Sequence, residues 1–406
     1  MTGSVPDSFA GPLPREGIGA EAAYAEVLAR VVPYTMGNDH ARFWGWYMGA
    51  GTPVGNLADL VASALNPNLG GGDHAPVLVE QQVVRWCAEA VGYPTSASCL
   101  LVSGASEANL VGLAVARSAV LGPTVRTEGL AGVGPVAVYA SSEVHSCHRK
   151  SCELLGLGEA SLRLLPVHED QTLDAVADLA QREGLWLHVD GAIGGFLGLS
   201  AHRDLVRGMA RADSLALDLH TWMQAPMDVG LVLVRDEAAH RATFSVVPAY
   251  LRHATRGLAA GDVWFTEYGI DLTRGFRALR VWMALLAHGA DAHGAVMDRT
   301  TALAHRLAEL VDGHPARERL APVGCDIVCL RYRVDGLDEQ QLDAVNRELV
   351  LLVQESGVAV VTETTLRGRL AVRVAIGNHR TRPEDLDLFV AALERLGPRA
   401  VATVTG

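Results

Sequence analysis

The sequence predicts an α/β protein with a large, mostly parallel sheet covered on both faces, followed by a smaller C-terminal α+β domain. Short runs rich in valine and leucine alternate with helical or loop segments: CLLVSG at 99–104, VAVYASSEVH at 136–145, SLRLLPV at 161–167, GLWLHVDGAIGG at 184–195, DSLALDLH at 213–220 and VGLVLVRD at 229–236. Runs of that length and composition suit strands buried on both faces. Several end in a small or polar residue, and in open α/β sheets ligands gather beyond the strand ends.

Ahead of these strands, residues 21–68 read as an N-terminal layer of helical EAAYAEVLARVV, aromatic NDHARFWGWYMGAGTP and helical VGNLADLVASALNP. Phe43, Trp44, Trp46 and Tyr47 in the middle segment are either an aromatic mini-core joining two helices or a pocket wall or subunit contact, because aromatics this dense are costly to leave in water. A helix over 77–91 leads to CLLVSG, which runs through a glycine turn into the helical ASEANLVGLAVARSAV. Beyond the strands, FRALRVWMALLAHG and GAVMDRTTALAHRLAELV read as long helices joining the two domains. CDIVCLRYRV, a helix over 338–356, VAVVTETTLRGRLAVRVAI and a helix over 383–396 complete the α+β unit. The expected division is 1–70 for a helical dimerisation segment, 71–295 for the large domain and 296–406 for the small one.

Composition limits the partners. With 406 residues, 49% of them hydrophobic, the chain buries a substantial core. A net charge of -12, with arginines scattered among acids, argues against a nucleic-acid surface. The six cysteines form no CxxC pair and read as reduced, packed thiols. The opening MTGSVPDSFAGPLPREG has no apolar leader core, and no run of about 18 apolar residues occurs, so a soluble, cytoplasmic protein is expected. Lysine is nearly absent, Lys150 being the single one.

Three features point to an anionic, nitrogen-heterocyclic ligand. Ser103, Gly104, Ala105 and Ser106 lie at a strand-to-helix transition, where free N–H groups and hydroxyls suit a phosphate, although Ser106 can equally cap the helix. Asp190 closes an apolar strand, and pairing with a protonated ring nitrogen would offset its burial; a magnesium ligand or a helix cap is the plainer role. His145 and His220 end neighbouring strand candidates, which suggests a common cleft. Neither has HExxH or cysteine-rich spacing, so no metal site is expected.

In this order, ARFWGW, GTP, LLVSGASEANLVGLAVAR, the His145 segment, LHVDGAIGG, ADSLALDLH, DLTRGFRALRVW and LRGRLAVRVAIGNHRT resemble the pyridoxal-phosphate (PLP) dependent group II amino-acid decarboxylases, over about residues 38–396. The resemblance implies the aspartate-aminotransferase-like fold of type I and a homodimer whose pocket is completed by both subunits. It makes Ser103 to Ser106 the phosphate turn, His145 the imidazole stacked on the pyridine ring, and Ala192 the contact on the other ring face. Asp190 becomes the carboxylate that keeps the pyridine nitrogen protonated, so that the ring accepts the electron pair released at Cα. Phe43, Trp44 and Trp46 resemble the region lining the substrate side chain, which suggests a small amino acid or amine, aromatic in preference to glutamate-like. The C-terminal arginines Arg367, Arg369 and Arg373 are given no catalytic role.

The departure follows His220. Where the family has its Schiff-base lysine, this chain has Thr221, and a hydroxyl forms no imine with the cofactor aldehyde. PLP is therefore expected to bind non-covalently or as a substrate adduct, with poor turnover, because imine exchange loses its intramolecular amine. Lys150 lies five residues beyond His145 in a helical stretch, about 140° round from it, and does not stand in. The family also has a loop tyrosine that returns a proton to Cα; a gap-free count places Phe265 there, with Tyr268 the nearest substitute. A divergent enzyme, a non-catalytic binding homologue, and a decarboxylase with an engineered Lys-to-Thr change all fit Thr221. Alanine for the second glycine in GASEAN and the missing aromatic in GAIGG favour natural divergence.

Overall fold

The computed structural model describes residues 9–167, 172–246 and 253–406; the first residues of the opening stretch, 1–8, lie outside the described residues. The chain divides into two units, residues 51–298 and residues 1–50 together with 299–406.

In the first unit the described strands are β1 (Ser98–Val102), β2 (Val138–Ser141), β3 (Leu162–Leu165), β4 (His188–Asp190), β5 (Ser214–Asp218) and β6 (Gly230–Val234). Four form a sheet in the order β1-β6-β5-β4, and β2 pairs with β3 in parallel. Because β6 is antiparallel to both β1 and β5 while β4 is parallel to β5, only β6 runs against the common direction of that sheet. Every residue of β5 and β6 is buried, as expected of continuous apolar runs inside a covered sheet. The helix Ala105–Leu121 follows β1 directly and packs on β4, β5 and β6. The helices Leu173–Glu183 and Glu237–Phe244, left as connections by the sequence patterns, are each started by a side-chain cap: Thr172 accepts from Ala175 N at 3.3 Å and Asp236 from Ala239 N at 3.1 Å.

The second unit carries the antiparallel sheet β7 (Arg317–Arg319), β8 (Ile327–Tyr332), β9 (Thr362–Leu366) and β10 (Arg369–Ala375), in the order β7-β8-β10-β9. The β9–β10 hairpin turns at Arg367 and Gly368, with φ of 51° and 78°; a two-residue turn of this hand needs positive φ at both positions, which is strained at the arginine. The helices Glu339–Glu355 and Pro383–Thr405 share a core with this sheet. Trp44 belongs to that core: it is fully buried, donates Nε1–H to Thr381 Oγ1 at 3.1 Å and meets Phe389 edge-on at 5.6 Å. Among the described residues, no helix is long and apolar enough to cross a membrane.

The DLTRGF block places Arg274 inside the first unit. Its guanidinium donates to Leu69 O at 2.9 Å, Leu101 O at 2.7 Å and Glu80 Oε1 at 2.5 Å, and lies 4.8 Å from the Phe265 ring centre. Burial pushes the Glu80 carboxyl up, against the opposing pull of Arg274. Removing one member leaves a buried unpaired charge, so Arg274→Met is expected to lower stability in urea denaturation by about 3–5 kcal/mol. Adding Glu80→Leu to that variant is expected to recover most of the loss.

Candidate active site

Asp190, at the end of β4, is held by three donors. Its Oδ2 accepts from Asn109 Nδ2 at 2.9 Å and His148 Nε2 at 3.1 Å, and its Oδ1 from Ala192 N at 3.1 Å. Burial pushes this carboxyl up, but the bonds from His148, Ala192 and Asn109 outweigh it and hold it below its ordinary value.

The Asn109 bond is the last step of a chain with one direction. Trp186 Nε1–H donates to Ser214 Oγ at 2.9 Å, Ser214 lies 2.7 Å from His188 Nδ1, and His188 Nε2 lies 2.8 Å from Asn109 Oδ1. An ionised carboxylate only accepts, so Asn109 donates through Nδ2 and its Oδ1 accepts from His188 Nε2–H; burial keeps the His188 ring neutral, so its Nδ1 accepts from the Ser214 hydroxyl. Burial and nearby His148 push His188 down to about 4, in agreement with that neutral form. The sequence supports the geometry locally. His188 and Asp190 alternate onto one face of β4. Asn109 sits three residues before Gly112 on the helix, and a Cβ on Gly112 would lie 2.5 Å from the His188 ring.

Cys147, His148 and Asp190 offer three ligand atoms within 4.8 Å of one another, a grouping the spacing rules do not reveal. Hydrogen bonds engage all three here, with Asn109 Nδ2 also reaching Cys147 Sγ at 3.5 Å.

The other expected residues fall into two groups. His145 lies beyond the end of β2, not at it, in the turn before the helix Cys147–Leu154; it is exposed, and its Nδ1 accepts from Cys147 N at 3.3 Å. His220 stands two residues past β5, with Nδ1 within reach of Val229 and Nε2 3.6 Å from Asp218 Oδ2. Asp190, His145 and His220 all act electrostatically on Asp218, which places the four in one neighbourhood. Thr221 is buried and donates its hydroxyl to Ala192 O at 2.9 Å, tying the end of β5 to the residues after β4.

Phe265 and Tyr268 are packed into the core of the sheet with Val77, Leu100 and Val232. Phe265 is 1% exposed, and the Tyr268 hydroxyl donates to Glu237 at 2.6 Å, so neither presents a free proton donor. Of the three aromatics near the N-terminus, all in the other unit, Trp44 is a core residue, Phe43 is buried and Trp46 is exposed.

At the Ser103–Ser106 turn, three donors are turned to the chain's own carboxylates. Ser103 N and Oγ donate to Glu107 at 2.8 and 2.6 Å, and Ala105 N donates to Asp218 Oδ1 at 2.7 Å. Gly230 admits this approach, since a Cβ there would meet the Gly104 backbone at 2.5 Å. Pyridoxal phosphate thus fits at its ring end, where Asp190 is a charged acceptor and His145 is accessible. At the position that the resemblance gives to the imine former stands the Thr221 hydroxyl, and at the turn Ser103 N, Ser103 Oγ and Ala105 N are already engaged.

The comparisons with known proteins agree on the fold. The family described as "Pyridoxal-dependent decarboxylase conserved domain" matches residues 170–333. An aromatic-L-amino-acid decarboxylase of Bacillus atrophaeus is 29% identical over 389 residues, covering 86% of this chain and 79% of the relative. Tryptophan decarboxylase 1 of Oryza sativa subsp. japonica is 28% identical over 413 residues, covering 87% of this chain and 79% of its own. The crystal structure of Oryza sativa TDC with PLP and tryptamine superposes with a TM-score of 0.87 at 24% identity, covering 98% of this chain and 91% of that one. These matches support the type I α/β fold predicted from the sequence.

A neutral His188 has a pH consequence. Its folded value of about 4 lies below its unfolded one. The stability it contributes is therefore complete above about pH 6.5 and is lost as pH falls through 4, on the order of 3 kcal/mol in all. Melting temperature should fall from pH 7 to pH 4, and His188→Gln should flatten that decline while lowering stability at pH 8.

Proposed function

We propose, from the premise that the chain belongs to the pyridoxal-dependent decarboxylase family, that it is a divergent decarboxylase-like member which receives a small aromatic amino acid or amine and holds no cofactor through a lysine. The observation that carries this is Thr221, directly after His220, with its hydroxyl already bonded to Ala192 O. The named activities of the aromatic-amino-acid and tryptophan decarboxylase relatives support the ligand class. In this reading Asp190 accepts a hydrogen bond from a protonated ring nitrogen or ammonium, and its own three donors keep it charged for that purpose. His145 offers an exposed imidazole face to an aromatic ring. Any PLP taken up is held reversibly, without a covalent link.

The test is covalent capture. Incubation with PLP and borohydride, followed by peptide mass analysis, is expected to leave the 221 segment unmodified, with Lys150 the single lysine able to carry a pyridoxyl group. Stoichiometric labelling of Lys150 that accompanied decarboxylation would overturn the proposal. Thr221→Lys is expected to lower the melting temperature, because a buried hydrogen bond is lost, and to gain a reducible adduct at position 221 with pyridoxal or its phosphate. Failure to capture either aldehyde would favour a non-catalytic binding homologue.

The chain is further proposed to act as a homodimer. Helix Pro53–Leu65 exposes Leu57, Leu60, Val61 and Leu65, whose spacing puts them on one face, and helix Ala20–Arg30 buries none of its residues. Apolar surface of this kind calls for a partner. Light scattering should give twice the chain mass of 43.1 kDa, and Leu57→Glu with Leu60→Glu should shift it towards the monomer.

A further inference from the structure

The proposed function leaves open which ring-bearing molecules the cleft admits, and the Ser103–Ser106 turn bears on that question. The helix Ala105–Leu121 begins here, and its first amide is the donor best placed to meet an anion. That amide is engaged: Asp218 Oδ1 lies 2.7 Å from Ala105 N. Asp218 reaches it from the end of β5, where it pairs with Gly230, the residue packed closely against the Gly104 backbone. The neighbouring donors of Ser103 are both taken by Glu107. Two carboxylates of the chain thus stand where a ligand phosphate would have to sit.

The surrounding charges do not compensate. Asp190 is held ionised in the same neighbourhood; burial and Asp190 push the Asp218 carboxyl up, while His220, the Ala105 amide and His145 pull it down. Among the described residues, the ion-pair partner of Asp218 is His220 and not an arginine, and the chain's single lysine is Lys150. A phosphate monoester carries about −1.5 to −2 charges at neutral pH. Carboxylates at that turn repel such an ester, the more so because the site is partly shielded from water. A ligand whose far end is neutral or cationic meets no such opposition.

We propose that Asp218 sets the specificity of this cleft: its carboxylate fills the anion seat at Ala105 N–H, so that the cleft accepts pyridine or aromatic-amine ligands without a phosphate and turns phosphate monoesters away. This rests on the proposed function in taking the ligand to be a ring, and on the resemblance in taking the Ser103–Ser106 turn to be the seat of its phosphate. The substitution that isolates the charge is Asp218→Asn, which keeps an oxygen for the Ala105 amide and adds a donor.

The experiment compares 4-deoxypyridoxine with its 5′-phosphate, by calorimetric titration of the full chain. Neither probe has an aldehyde, so Lys150 cannot trap them. The wild type is expected to bind the unphosphorylated ring at least about tenfold more tightly than the ester, a difference of about 1.4 kcal/mol. Asp218→Asn is expected to tighten the ester by about tenfold or more and to change the plain ring by less than about threefold. Inorganic phosphate, titrated in parallel, should bind Asp218→Asn and not the wild type. If the wild type binds neither ring while Asp218→Asn still gains inorganic phosphate, the aromatic-ligand reading fails and the role of Asp218 stands. A wild type that prefers the ester overturns the proposal, and that comparison needs no variant. So does an Asp218→Asn protein, folded by its melting curve, that gains neither phosphate nor ester.

Discussion

The described site depends on keeping one carboxylate charged at the end of a short strand. Asp190 has no arginine or lysine beside it among the described contacts; neutral or histidine donors do the work, and each must point the right way. The direction is imposed from the carboxylate end: Asn109 must donate to Asp190, its oxygen then accepts from His188 Nε2–H, and burial keeps that ring neutral so that Ser214 donates to the other nitrogen. Packing serves the same end. Gly112 leaves room for the His188 ring, and Asn109 and Ser214 are wholly buried, so the relay is shielded from competing water.

Much of the architecture was legible in the sequence. The Val- and Leu-rich runs at 99–104, 184–195, 213–220 and 229–236 all became strands of one sheet, because continuous apolar composition at that length has few other uses. In the sequence Asp190 and His220 stand out at the ends of such runs, as His145 does at the end of 136–145, whereas Thr221 stands out only through the resemblance. Their partners do not stand out. Asp218 and Ala105 are 113 residues apart, and Asn109 and Asp190 are 81 apart, so no local spacing joins them. His188 did leave a local sign, two residues before Asp190 and therefore on the same face of the strand, but a histidine within an apolar run reads equally well as a core residue.

The residues around 265–274 illustrate the opposite error. A gap-free count set Phe265 in a proton-delivering position, with Tyr268 as substitute, yet both side chains lie in the core and Arg274 beside them ties Leu69, Glu80 and Leu101 together. A counted position in a loop carries no information about burial, whereas three buried acceptors around one guanidinium determine it.

Thr221 and Asp218 also bear on each other. The Thr221 hydroxyl fastens the end of β5 to Ala192, and Asp218, three residues earlier, lies on the turn amide. A lysine at 221 with Asp218 in place would break the first tie and still face a carboxylate at the phosphate end. An asparagine at 218 with Thr221 in place would open a seat for a cofactor that nothing could hold covalently. The two positions are therefore coupled, and the effect of changing either depends on the residue at the other.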